Sequence, residues 1–244
     1  MQQLMPISDL MKKGWDFYTD NFQKFITPVI IMIIPYLVYY LALYFGNPSI
    51  LILVLLLTVI MLAVNLWIAI VIIQLINAIL KKQAYDLNKI FESSLKKIPS
   101  YLLVAILTGL ILIGGFVLLI IPGIIFAVWY AFSAYTNILE NKKGWEALKS
   151  SKELVQGRWG STFWRLILPA LAVYFVVMLV VIILMYLLTG GHIDSNSYSQ
   201  SIMMNIVSSI IFIFLAPLFA SFSLILYNNL KETKETPTPT QPTV

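Results

Sequence analysis

Residues that could do chemistry are sparse in this chain, and most of them lie within long apolar runs. Asn65, Gln74 and Asn77 share one run, Ser133, Thr136 and Asn137 a second, and Asn205, Ser208 and Ser209 a third. Uncharged amides and hydroxyls set among Leu, Ile and Val have two uses. They line a path or pocket for a polar solute, or they hydrogen-bond between helices at about 0.6 to 2 kcal/mol per pair. The second is the simpler reading, and the first stays open. An ionisable group inside hydrocarbon marks a functional site by default, because its burial costs about 2.5 to 3.5 kcal/mol. None lies inside any run, and Glu140 stands only at the end of one. That argues against an ion-coupled transporter and against an intramembrane protease, both of which need charged or metal-ligating groups at depth. His192 is the sole histidine and cysteine is absent, so a zinc site built on His and Cys, disulfides and thiolate nucleophiles are excluded together. His192, with Asp194 nearby, reads as a solvated loop residue rather than a ligand or pH sensor. No catalytic set, cofactor site or metal site is expected.

The elements that must carry these residues follow from where charge is missing. Of 244 residues, 60% are apolar and 11% charged, against about half and about a quarter in a globular domain. No Asp, Glu, Lys or Arg occurs from Phe25 to Leu80, Ile98 to Leu139, Leu166 to Ile193 or Ser195 to Leu230. Each run exceeds the roughly 20 residues that span hydrocarbon as a helix. The first two are long enough to fold back, at Gly46-Asn47-Pro48-Ser49 and at Pro122-Gly123 with help from Gly114-Gly115. The reading is therefore an all-α polytopic membrane protein with six transmembrane helices, near 25–45, 50–80, 101–120, 123–140, 163–188 and 202–229. Open strands cannot satisfy their backbone in lipid, and no alternating pattern suggests a barrel.

All 16 Lys and Arg fall before helix 1, between 2 and 3, between 4 and 5, and after 6. This is the positive-inside distribution, so both termini are expected on the cytoplasmic side. It also accounts for the net charge of +5 without nucleic acid as a partner. The N-terminus, mixed and polar up to Lys24, does not read as a cleavable signal.

Ahead of each pair of crossings lies an amphipathic stretch, making three hairpins each preceded by a cytoplasmic interfacial helix. The first stripe is Ile7, Met11, Trp15, Tyr18, Phe22 and Phe25. The second is Leu87, Ile90, Phe91, Leu95 and Ile98, beside Lys89, Lys96 and Lys97. The third is Trp145, Leu148, Lys152, Val155 and Trp159, with Glu146, Lys149 and Glu153 turned away. Such helices sink aromatic and aliphatic residues at the headgroup boundary and offer Lys to anionic phosphates. The plainer alternative is that they are connectors resting on the bundle. Residues 1–230 form one transmembrane domain in this reading, and the Thr/Pro-rich stretch 231–244 a disordered cytoplasmic tail.

The segment from Ile121 to Trp159, IPGIIFAVWYAFSAYTNILENKKGWEALKSSKELVQGRW, resembles the signature of a group of bacterial multi-pass proteins. That group includes the glycerophosphoryl diester phosphodiesterase membrane-domain family and the YciC-like proteins. The matching positions are Ile121, Pro122, Gly123 and Glu140, then Glu146, Ala147, Leu148, Ser151, Leu154, Gly157, Arg158 and Trp159. Lys152 departs from the pattern, where an aromatic residue is expected. The resemblance implies a membrane module without a phosphodiesterase domain, in a bacterial inner membrane. On this reading Ala147, Ser151 and Gly157 let the third amphipathic helix lie against the bundle, and Arg158 reaches Glu140 or a lipid phosphate.

Three functions compete. The preferred one is a non-enzymatic protein that organises anionic lipid or a protein partner, a second copy included, through Lys89, Lys96, Lys97, Lys149, Lys152 and Arg158 with Trp145 and Trp159 as anchors. The alternative is a transporter, permease-like or export-accessory subunit for an uncharged or amphiphilic solute passing Asn65, Gln74 and Asn137. Last comes a lipid-modifying enzyme using Glu140.

Overall fold

The computed structural model describes residues 3–45, 51–191 and 198–235. Among them the regular elements are helices: α1 (Ile7–Asp20), α2 (Phe22–Phe45), α3 (Leu51–Leu80), α4 (Leu87–Leu118), α5 (Ile120–Tyr130), α6 (Ser133–Glu140), α7 (Gly144–Val155), α8 (Trp159–Leu188) and α9 (Tyr198–Glu235). Six spans are long and apolar enough to cross a bilayer: α2, α3, α4, the α5–α6 pair, α8 and α9. Consecutive spans pack as three hairpins, α2 on α3, α4 on α5, and α8 on α9. The chain is a multi-pass integral membrane protein. The turn expected at Gly46-Asn47-Pro48-Ser49, His192 with Asp194, and the end of the Thr/Pro stretch at 236–244 lie outside the described residues.

The interior is concentrated at the end of the bundle that carries the charged connections. Ile68, Val71, Leu75 and Ile76 of α3 meet Leu218, Leu224, Leu226 and Leu230 of α9, with Phe132 and Ile138 alongside, all fully buried. Toward the opposite end α3, α4 and α5 present bare apolar surface, as at Ile52, Val59, Val117 and Ile121. Surface of that kind and extent belongs against hydrocarbon.

Four local outcomes differ from the sequence expectation. First, the second amphipathic stretch is not a separate helix: α4 runs unbroken from Leu87 through Pro99 to Leu118. Its buried residues Ile90, Ser94 and Val104 lie on both sides of Pro99, and this shared packing carries the helix past a residue that ordinarily breaks one. Second, α4 and α5 part at a single extended residue, Leu119, rather than at Pro122-Gly123. Pro122 sits in the first turn of α5, where an N–H has no helical partner to lose. Gly123 lets the hairpin close, since a Cβ there would lie 2.5 Å from the Phe116 ring. Third, the span expected at 123–140 is interrupted between Tyr130 and Ser133. Fourth, α9 continues to Glu235, so 231–235 belong to a helix and not to a disordered tail. Lys231 reaches Glu140, Thr233 meets Arg158, and Lys234 donates to the Glu153 carbonyl.

The packed faces of the two separate amphipathic helices keep part of the expected stripes, Tyr18 in α1 and Leu148 and Val155 in α7, and turn the rest outward. In α1 the buried residues are Leu10, Gly14 and Tyr18. A Cβ on Gly14 would lie 2.1 Å from the Phe222 ring, so α1 seats its backbone on α9. In α7 they are Gly144, Ala147, Leu148, Ser151, Leu154 and Val155. Trp15 and Trp145 point outward, 53% and 60% exposed. Small residues face the bundle because helices packed across lipid-like interiors gain by close approach.

Candidate functional site

The charged end of the bundle holds three hollows around α6, at its junction with α7. At its centre is Ser151, fully buried on α7. Its hydroxyl donates to the Trp129 carbonyl at 2.8 Å and accepts from the Phe132 N–H at 3.1 Å. Those are backbone groups that the break between α5 and α6 leaves without helical partners, and an unpaired group at this depth would cost about 1 to 3 kcal/mol. Thr136 adds a second tie, donating to the Ala147 carbonyl at 2.9 Å. Ala147 and Ser151, both small, and Leu148 beside them are all fully buried where α7 meets the interrupted span. Lys152 lies over the Trp129 ring at 4.3 Å, so a cation–π contact stands where an aromatic residue is expected.

The first hollow, about 410 Å³, opens beside Glu140, Lys142, Tyr227 and Lys231. Glu140 pairs with Lys142 at 2.8 Å and Lys231 at 2.6 Å, and accepts from the Tyr227 hydroxyl. Both carboxylate oxygens are engaged, which makes Glu140 a junction between α6 and α9. Arg158 does not reach it. The guanidinium donates instead to Thr233 and, at 2.8 Å, to the Leu230 carbonyl, because α9 extends far enough to bring its last turn alongside. Gly157, with φ of 80°, makes the turn into α8 that only glycine takes without strain. Trp159 stacks on Phe163 and donates to the Ile125 carbonyl at 3.2 Å, so it is a packing residue of the α5–α8 contact.

A second hollow lies between α4 and the turn joining α6 to α7, lined by Lys96, Lys97, Ser100, Leu103, Asn137 and Lys143 among others. Asn137 donates to the Ser100 hydroxyl and to the Lys142 carbonyl, each at 2.6 Å. Lys97 donates to the Ile138 carbonyl and, at 3.1 Å, to Asn141 Oδ1. Lys96 pairs in the open with Glu92 at 2.8 Å. The third hollow gathers Gln74, Asn77 and Lys89 between α3 and the start of α4. Gln74 donates to Ser94 at 2.7 Å and accepts from Ser93 at 3.2 Å.

Asn65 stands apart. It donates to the Tyr36 hydroxyl at 3.3 Å and to its own helix at the Met61 carbonyl. With Tyr135 and Ser223 it lines a cavity of about 380 Å³ among α2, α3, α6 and α9. Asn65, Gln74 and Asn137 therefore open into three different spaces rather than one path. Asn205 is exposed near the start of α9, and Lys149 is exposed on α7 beside Trp145.

Several site residues carry no sequence signal of their own. Lys142 and Lys143 follow Glu140 within three residues, but Tyr227 and Lys231 reach it from about 90 positions away. Arg165 was unmarked: its guanidinium donates to the Met5 carbonyl at 2.7 Å and the Leu4 carbonyl at 3.1 Å, fastening the N-terminal segment to α8.

Nothing matches the chain among curated proteins or among solved structures. The model of an uncharacterised protein family, UPF0259, matches residues 47–221, well over half of the chain and including the whole α5–α7 junction. The chain belongs to that family.

Proposed function

We propose that this protein is a non-enzymatic organiser of the bilayer around it, gathering anionic lipid, or docking a partner protein, at the face that carries its lysines. The observation that carries this reading is the arrangement at the charged end. A tightly packed scaffold holds Lys89, Lys96, Lys97 and Lys143 at hollows and Lys152 over the Trp129 ring. Lysines at that depth meet headgroup phosphates, each contributing about 1 kcal/mol near an anionic leaflet. Glu140 serves as a structural junction, with both oxygens committed to ion pairs, which supports a role outside acid–base chemistry. We place the charged face in the cytoplasm of a bacterium and the chain in its inner membrane, following the positive-inside rule and the resemblance to the phosphodiesterase membrane-domain and YciC-like group. The alternative of a solute path has the Asn65 cavity in its favour, but the three amides it invokes do not share one space.

The test uses the full chain in lipid nanodiscs of mixed phosphatidylcholine and phosphatidylglycerol. Lipid retained through purification should be enriched in the anionic species, and equal retention of both would overturn the reading. Orientation is checked in cells: because the chain has no cysteine, Lys149→Cys gives a single label site. It should resist impermeant thiol reagents until the membrane is opened.

A further inference from the structure

Asn65 sits at the midpoint of α3, and the cavity of about 380 Å³ that it lines is walled by α2, α3, α6 and α9. Most of that wall is apolar, as at Met32, Ile73, Phe219 and Ala220. Three polar side chains from three different helices interrupt it: Asn65 on α3, Tyr135 on α6 and Ser223 on α9. A concave, mainly apolar space with a few convergent polar groups is the ordinary form of a small-molecule site. Its volume is more than twice that of the ~150 Å³ apolar cavity that admits benzene. No Asp, Glu, Lys or Arg lines it, and a charged ligand would enter without a counter-charge at a depth where burying one is expensive. The ligand it suits is therefore neutral.

Asn65 also says what that ligand must carry. Its Nδ2 donates to the Met61 carbonyl at 2.8 Å and to the Tyr36 hydroxyl at 3.3 Å. A carbonyl can only accept, so the amide cannot be turned over, and Oδ1 is the atom left without a partner. Among the described residues the one unpaired side-chain atom sealed from any approach is Asn137 Oδ1. Asn65 Oδ1 is therefore within reach, and the space that Asn65 borders is this cavity. An acyl chain or an ether fills the apolar part but leaves this acceptor bare, whereas a hydroxyl pairs it. The Tyr135 and Ser223 hydroxyls are neighbours. Of two hydroxyls bonded to each other one keeps its hydrogen, which can return a bond to the ligand oxygen.

We propose that this cavity seats a neutral amphiphile drawn from the bilayer, an apolar body ending in a hydroxyl, with the hydroxyl donating to Asn65 Oδ1 and the body against Met32, Ile73 and Phe219. The site is separate from the lysine-bearing face, so it stands or falls independently of the lipid-organising reading above.

Photolabelling of the full chain in nanodiscs with a diazirine-bearing long-chain alcohol, followed by peptide mapping, locates the seat. Adducts should concentrate at Met32 of α2 and Phe219 of α9. Adducts on lipid-facing residues alone would mean that the cavity takes up no amphiphile, and the proposal fails. Two isomers then compete with the probe: n-nonanol and octyl methyl ether contain the same atoms, but only the alcohol can donate. At equal concentration in the membrane the alcohol should suppress the cavity adducts about fivefold more strongly, the size of one net hydrogen bond, and equal suppression overturns the hydroxyl assignment. Asn65→Leu, close in size, should abolish that preference; a preference that survives it removes Asn65 as the partner and overturns the proposal. Because this variant also takes a hydrogen bond from Tyr36, Ala220→Phe is the companion. It should fill the space and remove the Met32 and Phe219 adducts while those on lipid-facing residues remain, and undiminished cavity adducts overturn the seat. Should either variant fail to fold, the mapping and the isomer competition on the unaltered protein decide by themselves.

Discussion

Helix α3 is apolar along its whole length, yet its two halves have different neighbours. From Ile68 to Ile76 nearly every side chain is buried, against α2, α4, α6 and α9. Ile52, Val59 and Leu62 are 73%, 63% and 60% exposed. In α9 the contrast repeats: Leu218 to Leu230 is core, while Met204 and Phe212 face outward. Hydrophobicity does not choose between these fates, because lipid tails are as apolar as Leu and Ile. The packed halves carry most of the polar links, Gln74 to Ser94, Ser151 across the α5–α6 break, and Glu140 to Lys231, and the open half of α9 has Ser209 bonded to Tyr40. Each would be unsatisfied in hydrocarbon, so each fixes which helix faces meet.

Substitutions can break that contrast in order of expected effect. Ser151→Leu should be worst, because it orphans the Phe132 N–H and overfills a site with no spare volume. A loss of about 3 to 5 kcal/mol is expected in detergent unfolding, and a loss under about 1 kcal/mol would show that Ser151 does not hold the break. Leu75→Ala, in the packed half of α3, should cost about 1 to 3 kcal/mol, chiefly the cavity left behind, since the unfolded side chain passes to detergent rather than water. Glu140→Gln removes two charge-assisted hydrogen bonds from partly buried lysines and should cost about 1 to 2 kcal/mol, read as a lower melting temperature; Glu92→Gln, on a pair open to solvent, should leave the melt unchanged. Leu56→Ala, on the exposed half of α3, should stay within about 0.5 kcal/mol. If Leu56→Ala proved as costly as Leu75→Ala, the open half would be packed against another copy rather than lipid.

The sequence carried the spans well and the interruptions poorly. Charge-free length located six crossings, and the expected ends at 45, 80, 140 and 188 coincide with helix ends, whereas α4 begins at Leu87, well before the expected 101. The second amphipathic stretch reads as a helix separate from the crossing near 101–120, yet α4 runs through both and past Pro99, because packing on both sides outweighs one lost hydrogen bond. The break at Ala131 and Phe132 has no Gly or Pro to announce it; it exists because Ser151, about 20 positions later, supplies the replacement bonds. In the site, Lys96, Lys97 and Asn137 were each legible as candidates, Asn137 as an interhelical amide and the lysines as phosphate contacts. That they share one hollow was not.

Two properties were written in the chain itself: how many times it crosses, and which ends of the crossings carry the cations. Both depend on local length and charge, which water and hydrocarbon read one segment at a time. The tertiary structure alone decided which apolar faces turn inward and which polar groups meet, as when Lys231 reaches Glu140 or Arg158 donates to the Leu230 carbonyl and Thr233 of α9 instead of pairing with that carboxylate. Among helices of nearly uniform hydrophobicity many pairings bury similar surface, so partners remote in sequence are selected by close packing and by the need to satisfy every buried donor and acceptor at once.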